Sequence, residues 1–275
     1  MNNTVKRTIS GIGFIAAMLI GLLVNKFLFA ALFLFIMVVM MKEFYRMTMG
    51  DRYLFSRGFM IFSGAILFVL IFLVAAYGMK VDYVGLALVP IIVVMGSSLY
   101  AKDKTEFWKF SHMYTGFLYI AVPLSLSNFI AFKHGEFSGI LLLSFFIIIW
   151  ASDVGAFVFG SAFGQKYGKK LFPEISPKKS WIGFWGGLFC AVLAGIVLKL
   201  TGLFEFPMIH CILLATVMDI AGVYGDLFES QWKRSFDLKD SGSIIPGHGG
   251  MLDRFDSTLF AFPIGVLYMV LFNLI

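Results

Sequence analysis

The chain has 275 residues, of which 60% are hydrophobic and only 14% charged, with 33 phenylalanines and a net charge of +6. Ordinary globular domains carry roughly 25% charged residues, so a water-soluble fold is excluded: its surface could not be covered. A bilayer solvates such a chain, because a membrane helix needs about 20 apolar residues and lipid contacts its outside. The positive charge lies between apolar runs, which points to membrane orientation and anionic ligands rather than to nucleic acid.

In chain order, Lys6 and Arg7 precede an apolar run from Ile9 to Val24 that resembles a secretory signal. No small-residue cleavage site follows it, and Asn25-Lys26 leads directly into a second run, so it reads as a retained helix. Apolar runs then recur at 8–24, 27–41, 59–78, 83–100, 114–132, 139–160, 181–202, 207–229 and 254–275. This predicts an all-α polytopic membrane protein with about nine transmembrane helices. The first two are joined so closely that a tight hairpin or oblique packing is expected. No linker or repeat divides the chain, which reads as a single integral membrane domain over 1–275. Residues 1–140 are expected to form a scaffold and any dimer contacts, and 141–275 the active part.

With the N-terminus in the cytoplasm, 18 of the 22 lysines and arginines fall on the inside; Lys26, Lys80, Lys133 and Lys199 do not. The positive-inside rule therefore places the N-terminus in the cytoplasm and the C-terminus opposite. Cys190 and Cys211 both lie in apolar segments and read as buried packing thiols, not a disulfide framework.

Acidic residues inside the later runs need a reason. Asp153 interrupts the sixth run, and Asp219, Asp226 and Glu229 the eighth. An acidic residue at a helix centre costs about 2.5–3.5 kcal/mol on insertion scales, less near the ends. Asp219 and Asp226 are seven apart and Glu229 follows three later, so they share one stripe. Pairing with Lys233, Arg234 or another helix is one account; a metal or cation site is the other.

The segment from Ser230 to Asp256 reads S-x-x-K-R-x4-K-D-S-G-x3-P-G-H-G-G-x-x-D-R-x-D. Lys233, Arg234, Lys239 and Arg254 can neutralise phosphate oxygens. Gly247, Gly249 and Gly250 allow close backbone approach before the last helix. Asp240, Asp253 and Asp256 supply the hard oxygens magnesium prefers. Simpler accounts exist for each: glycines that only turn the chain, and His248 as a hydrogen-bonding loop residue. A second basic loop carries Lys166, Lys169, Lys170, Lys178 and Lys179 around Pro173 and Ser176-Pro177. The first three fit juxtamembrane lysines that attract anionic headgroups, whereas a rigid Ser-Pro turn would direct Ser176, Lys178 and Lys179 at a ligand.

These motifs resemble the CDP-diacylglycerol synthase family, the phosphatidate cytidylyltransferases. Besides Ser230–Asp256, the resemblance rests on G-D-x-x-E-S from Gly225 to Ser230, W-x-x-D-x-G-A from Trp150 to Ala156, and S-P-K-K-S from Ser176 to Ser180. It covers the C-terminal half; residues 1–140 match only as hydrophobic helices. Three positions depart from the pattern: Trp232 for an aliphatic residue or phenylalanine, Ser180 for threonine, and Ile182 for a glutamate or glutamine.

The resemblance implies a bacterial inner-membrane enzyme of phospholipid biosynthesis with its active site facing the cytoplasm. It would transfer a cytidylyl group from CTP to phosphatidic acid, giving CDP-diacylglycerol and pyrophosphate. It implies magnesium dependence, with potassium as a candidate second cation. Asp226 and Asp253 match the family's metal-binding aspartates, with Glu229, Asp240 and Asp256 as supporting ligands or as groups that hold the ligands in place. Lys233, Arg234, Lys239 and Arg254 would bind phosphates beside His248 and the glycines. Asp153, Ser176, Lys178, Lys179 and Ser230 would contact substrate. Two other classes compete: a cytidylyltransferase for another lipid phosphate, and an ion or solute transporter, which would scatter charges at the membrane midplane. Gly183, Gly186 and Gly187 could pair two copies in a homodimer or pack within one chain.

Overall fold

The computed structural model describes residues 3–101, 103–133, 135–166, 168–247 and 249–275. His248, one of the candidate site residues, lies outside them. The fold is helical: α1 Asn3–Leu23, α2 Lys26–Met49, α3 Leu54–Tyr77, α4 Leu88–Ser98, α5 Lys109–Gly116, α6 Val122–Ala131, α7 Gly139–Phe159, α8 Trp181–Leu200, α9 Met208–Ser235 and α10 Leu252–Leu271. A 3₁₀ turn at Val81–Ala87 leads into α4, and a π turn at Phe117–Ala121 joins α5 to α6. A second 3₁₀ turn at Lys104–Glu106, a second π turn at Gly160–Gly164 and two short antiparallel hairpins are also present: β1 Phe132–Lys133 with β2 Glu136–Phe137, and β3 Lys170–Phe172 with β4 Ser176–Ser180.

Eight of these segments are long and apolar enough to cross a membrane; Thr8–Leu23 of α1 is a shorter apolar helix. Large apolar side chains stand exposed along them, among them Phe157, Phe189 and Leu200. Water does not solvate such faces; acyl chains do. Each of the nine expected runs corresponds to one helical stretch, but several helices outlast their apolar run. Helix α2 continues through Lys42 and Glu43 to Met49, and α9 continues through Ser230 to Ser235.

The chain folds as two compact units, Met1–Ser138 with Asp240–Arg254, and Gly139–Lys239 with Phe255–Ile275. In the first, the two-residue break after α1 is stabilised by Asn25, whose side-chain carbonyl accepts the amides of Phe27 and Leu28 at 3.0 and 2.9 Å. That is an N-cap, so α2 can start at once and pack back on α1. Its core gathers Phe29, Phe33, Phe44, Tyr45 and Phe68. The Tyr45 hydroxyl donates to the Met113 carbonyl at 2.8 Å, which satisfies the polar end of a buried ring.

The second unit is organised by glycine. A Cβ at Gly155 of α7 would lie 2.6 Å from the Gly186 carbonyl, and one at Gly186 of α8 would lie 2.5 Å from Phe159 Cβ. Gly183 and Gly187 face Ala156 and Ser152 of α7, and Gly195 faces Cys211 of α9. The small residues thus let α7, α8 and α9 approach closely within one chain. Of the two roles open to Gly183, Gly186 and Gly187, this is the one the structure displays.

Candidate active site

Within the second unit, α7, α8, α9 and the β3–β4 hairpin enclose a cavity of about 570 Å³. Its charged groups are Asp153, Asp219, Asp226, Lys178 and Lys179, and its apolar walls include Phe157, Leu171, Phe184 and Val223. Lys179 Nζ meets Asp226 Oδ2 at 2.6 Å, and Ser230 donates its hydroxyl to Asp226 Oδ1 at 3.3 Å. Deeper, Ser152 donates to Asp219 Oδ1, while Oδ2 has no hydrogen-bond partner among the described residues. Asp219 is 2% exposed, and a buried carboxylate oxygen in this state requires a donor or cation from elsewhere.

Lys178 and Lys179 reach the cavity from β4. Ser176-Pro177 opens this strand rather than forming a turn, and a two-stranded hairpin tolerates proline because one edge needs no ladder bond. Gln165 fixes the strand by donating to the Lys178 carbonyl at 2.6 Å and accepting from Lys170 Nζ at 2.8 Å. Ser180 then caps α8 by accepting the Gly183 amide at 3.2 Å, so the basic hairpin feeds directly into a cavity-lining helix.

Ser230, Lys233 and Arg234 lie on α9, not in a loop as their polarity suggests. Side-chain pairs one turn apart sustain the extra turns: Asp226 with Ser230, and Glu229 with Lys233. Glu229 is 0% exposed and forms a direct ion pair with Lys233. Arg234 is exposed and donates to the Leu238 carbonyl at 2.8 Å, which closes the helix end. Lys239 is exposed. Asp256, on α10, lies in the field of Asp226, Glu229 and Asp153, a crowding of like charge.

In the first unit, the 240–254 loop is built around carboxylates. Asp253 Oδ2 accepts three donors: the Ser241 amide at 2.9 Å, the Ser241 hydroxyl at 2.9 Å and the Gly250 amide at 2.7 Å. Gly247 and Gly249 hold φ of 78° and 86°, the left-handed region that suits glycine. Asp240 and Arg254 are exposed. The sequence reading omits Glu43, whose carboxylate accepts the Met251 and Leu252 amides at 3.0 and 2.8 Å. Lys42-Glu43 looks like the end of an apolar run; only continuation of α2 reveals an acid inside a helix.

A family model described as the cytidylyltransferase family matches residues 5–272. The chain belongs to that family. Relatives named phosphatidate cytidylyltransferase include one from Staphylococcus epidermidis, 33% identical over 173 residues, covering 62% of this chain and 64% of that protein. One from Staphylococcus haemolyticus is 32% identical over 66% of this chain and 70% of its own. A third, from Bacillus subtilis, is 30% identical over 68% of each chain. The match thus spans just under two thirds of the Staphylococcus epidermidis protein.

Magnesium is the metal implied by the resemblance. Among the described residues no three carboxylate, imidazole or thiol groups converge as a ready-made cage. Magnesium does not need one, since it keeps several waters and is bound through one or two carboxylates plus substrate phosphates. The donor chemistry fits. Crowded carboxylates around Asp226 and Asp256 are hard oxygens relieved by a cation. At Asp253, Oδ2 is committed to its three donors. Its Oδ1 has a longer contact, 3.2 Å, to the Ser241 amide.

Proposed function

We propose that this protein transfers a cytidylyl group from CTP to phosphatidic acid. A lipid phosphate oxygen forms a bond to the α-phosphorus of CTP, the bond from that phosphorus to the bridging oxygen breaks, and pyrophosphate leaves. The supporting observation is the cavity with Asp226 and Lys179 paired at 2.6 Å, polar in its charged residues and apolar in its walls, within a helical unit suited to lipid. An amphiphile with a phosphate headgroup fits such a space, acyl chains remaining in the bilayer.

The attacking phosphate is already anionic, so no strong general base is needed. Catalysis then rests on positioning and on offsetting charge. Lys178 and Lys179 would receive phosphate oxygens, with Lys179 exchanging its carboxylate partner for ligand. Lys239 and Arg254, exposed on their segments, are proposed as further phosphate contacts. Asp226 and Asp253 are the proposed metal carboxylates on motif grounds, with Glu229, Asp240 and Asp256 in support. Bound magnesium, with potassium as a second cation, would supply charge neutralisation at the transferring phosphorus. Location in a bacterial inner membrane with the site facing the cytoplasm, where CTP is made, completes the reading.

The test uses detergent-purified protein with labelled CTP, phosphatidic acid and magnesium. Lipid-soluble label should appear, and EDTA should abolish it. Replacing CTP by dCTP, ATP or UTP, and phosphatidic acid by other lipid phosphates, measures selectivity. Absence of transfer from CTP to any lipid phosphate would overturn the reading.

A further inference from the structure

Glu43 has no place in the motifs, yet it holds the loop that carries Asp253. Its carboxylate lies within α2 and accepts from three donors: the Met251 amide at 3.0 Å, the Leu252 amide at 2.8 Å and, more weakly, the Ser241 hydroxyl at 3.4 Å. The same Ser241 hydroxyl donates to Asp253 Oδ2 at 2.9 Å. Two of the loop's glycines are shaped by Glu43. A Cβ on Gly242 would lie 2.6 Å from Glu43 Oε1, and one on Gly250 would lie 2.7 Å from Oε2. Gly250 also donates its amide to Asp253 Oδ2 at 2.7 Å. The loop has therefore closed around one helix-borne carboxylate, and Asp253 is oriented by the residues that carboxylate restrains.

We propose that Glu43 is a positioning residue for Asp253, fixing its carboxylate for a divalent cation and adding negative charge that favours the cation. This rests on the proposed function for its catalytic consequence. The chemistry requires a carboxylate. Both oxygens face N–H or O–H donors, and a glutamine would turn an N–H₂ against backbone amides. The first amide of α10 also presents the positive end of the helix, which a negative charge stabilises. A cap alone would stabilise α10 and stop there; a positioning group also changes cation affinity. Partners that orient metal ligands typically change affinity or activity about 10–100-fold when removed.

Two measurements on Glu43→Gln test this. In metal-free protein, hydrogen exchange at the amides of 241 and 250–252 should accelerate about tenfold or more. In the transfer assay, the magnesium concentration for half-maximal rate should rise about tenfold or more, and Glu43→Asp should recover part of it. Ser241→Ala removes the hydroxyl between the two carboxylates and should shift both readouts in the same direction, which keeps the test open if Glu43→Gln does not fold. Faster exchange with unchanged magnesium dependence would reduce Glu43 to a cap and overturn the proposal, as would exchange unchanged in either variant. If the wild type itself transfers nothing, the functional reading falls. Manganese binding to wild type and variant, followed by electron paramagnetic resonance without nucleotide, then decides the role of Glu43: equal binding overturns it, weaker binding in the variant supports it.

Discussion

Lys179 and Asp226 pair at 2.6 Å with side chains 25% and 31% exposed. A pair this accessible contributes little to stability, about 0–1 kcal/mol. Its value would be chemical: a cation and a carboxylate that can each turn to a phosphate or a metal. Asp226→Asn should therefore lower cytidylyl transfer about a hundredfold or more while leaving the melting temperature nearly unchanged. Turnover near wild type would remove Asp226 from the site. Glu229 and Lys233 are the opposite case. Glu229 is wholly buried, so Lys233→Met leaves a charge in the interior, a loss of about 3–5 kcal/mol. The double variant Glu229→Leu with Lys233→Met should recover most of it. Thermal denaturation in detergent measures both, and a single variant as stable as wild type would free Lys233 for the phosphate role its motif suggests. The motif told which residues carry chemistry but not which pairs they form, because ion pairs such as Lys179 with Asp226 join elements 47 positions apart in sequence.

At the scale of the helix, hydropathy located every long segment but not every end. Asn25-Lys26 could be read as punctuation, and Asn25 does cap the start of α2. Glu43 and Ser230 could not, because a helix that leaves the apolar layer continues on side-chain pairing rather than on hydrophobicity. The glycine seam was visible as small residues, while its partner was not: only packing shows that Gly186 meets Phe159 of α7. This seam makes a sharp prediction. Gly186→Ala places a methyl 2.5 Å from Phe159 Cβ and 2.6 Å from two carbons of its ring. Overpacking of this kind costs about 1–3 kcal/mol, so heat stability and transfer activity should fall together. Gly13→Ala, where no heavy atom lies within 4 Å, should be neutral or slightly stabilising. Equal melting temperatures for the two variants would show that α7 and α8 are not held by close backbone approach.

At the scale of the molecule, the question is how the chain is threaded through the bilayer. Helix α1 has 21 residues, but its apolar part, Thr8–Leu23, is shorter than the eight other spans and falls short of a hydrocarbon core of about 30 Å at about 1.5 Å per residue. Two contacts inside the first unit bear on its direction. The Ser10 hydroxyl, near the start of α1, donates to the Pro246 carbonyl at 2.9 Å. Glu43, near the end of α2, meets Met251 and Leu252 of the same loop. Both helices thus touch one loop from opposite ends of the chain direction, so α1 and α2 form an antiparallel pair and the N-terminal end of α1 lies on the side of the 240–254 loop. Charge then chooses which side that is. With 18 of 22 lysines and arginines in the segments expected inside for a cytoplasmic N-terminus, the positive-inside rule favours the cytoplasm, and this remains a proposal to be tested. Single cysteines placed in a background with Cys190 and Cys211 replaced by alanine read this directly. Ser243→Cys and Glu174→Cys should react with a membrane-impermeant maleimide only in inside-out vesicles, and Met79→Cys and Gly202→Cys only in right-side-out ones. An epitope tag at the N-terminus should follow Ser243. A tag accessible from the other face would mean that α1 does not cross, and would separate the N-terminus from the loop that Ser10 contacts.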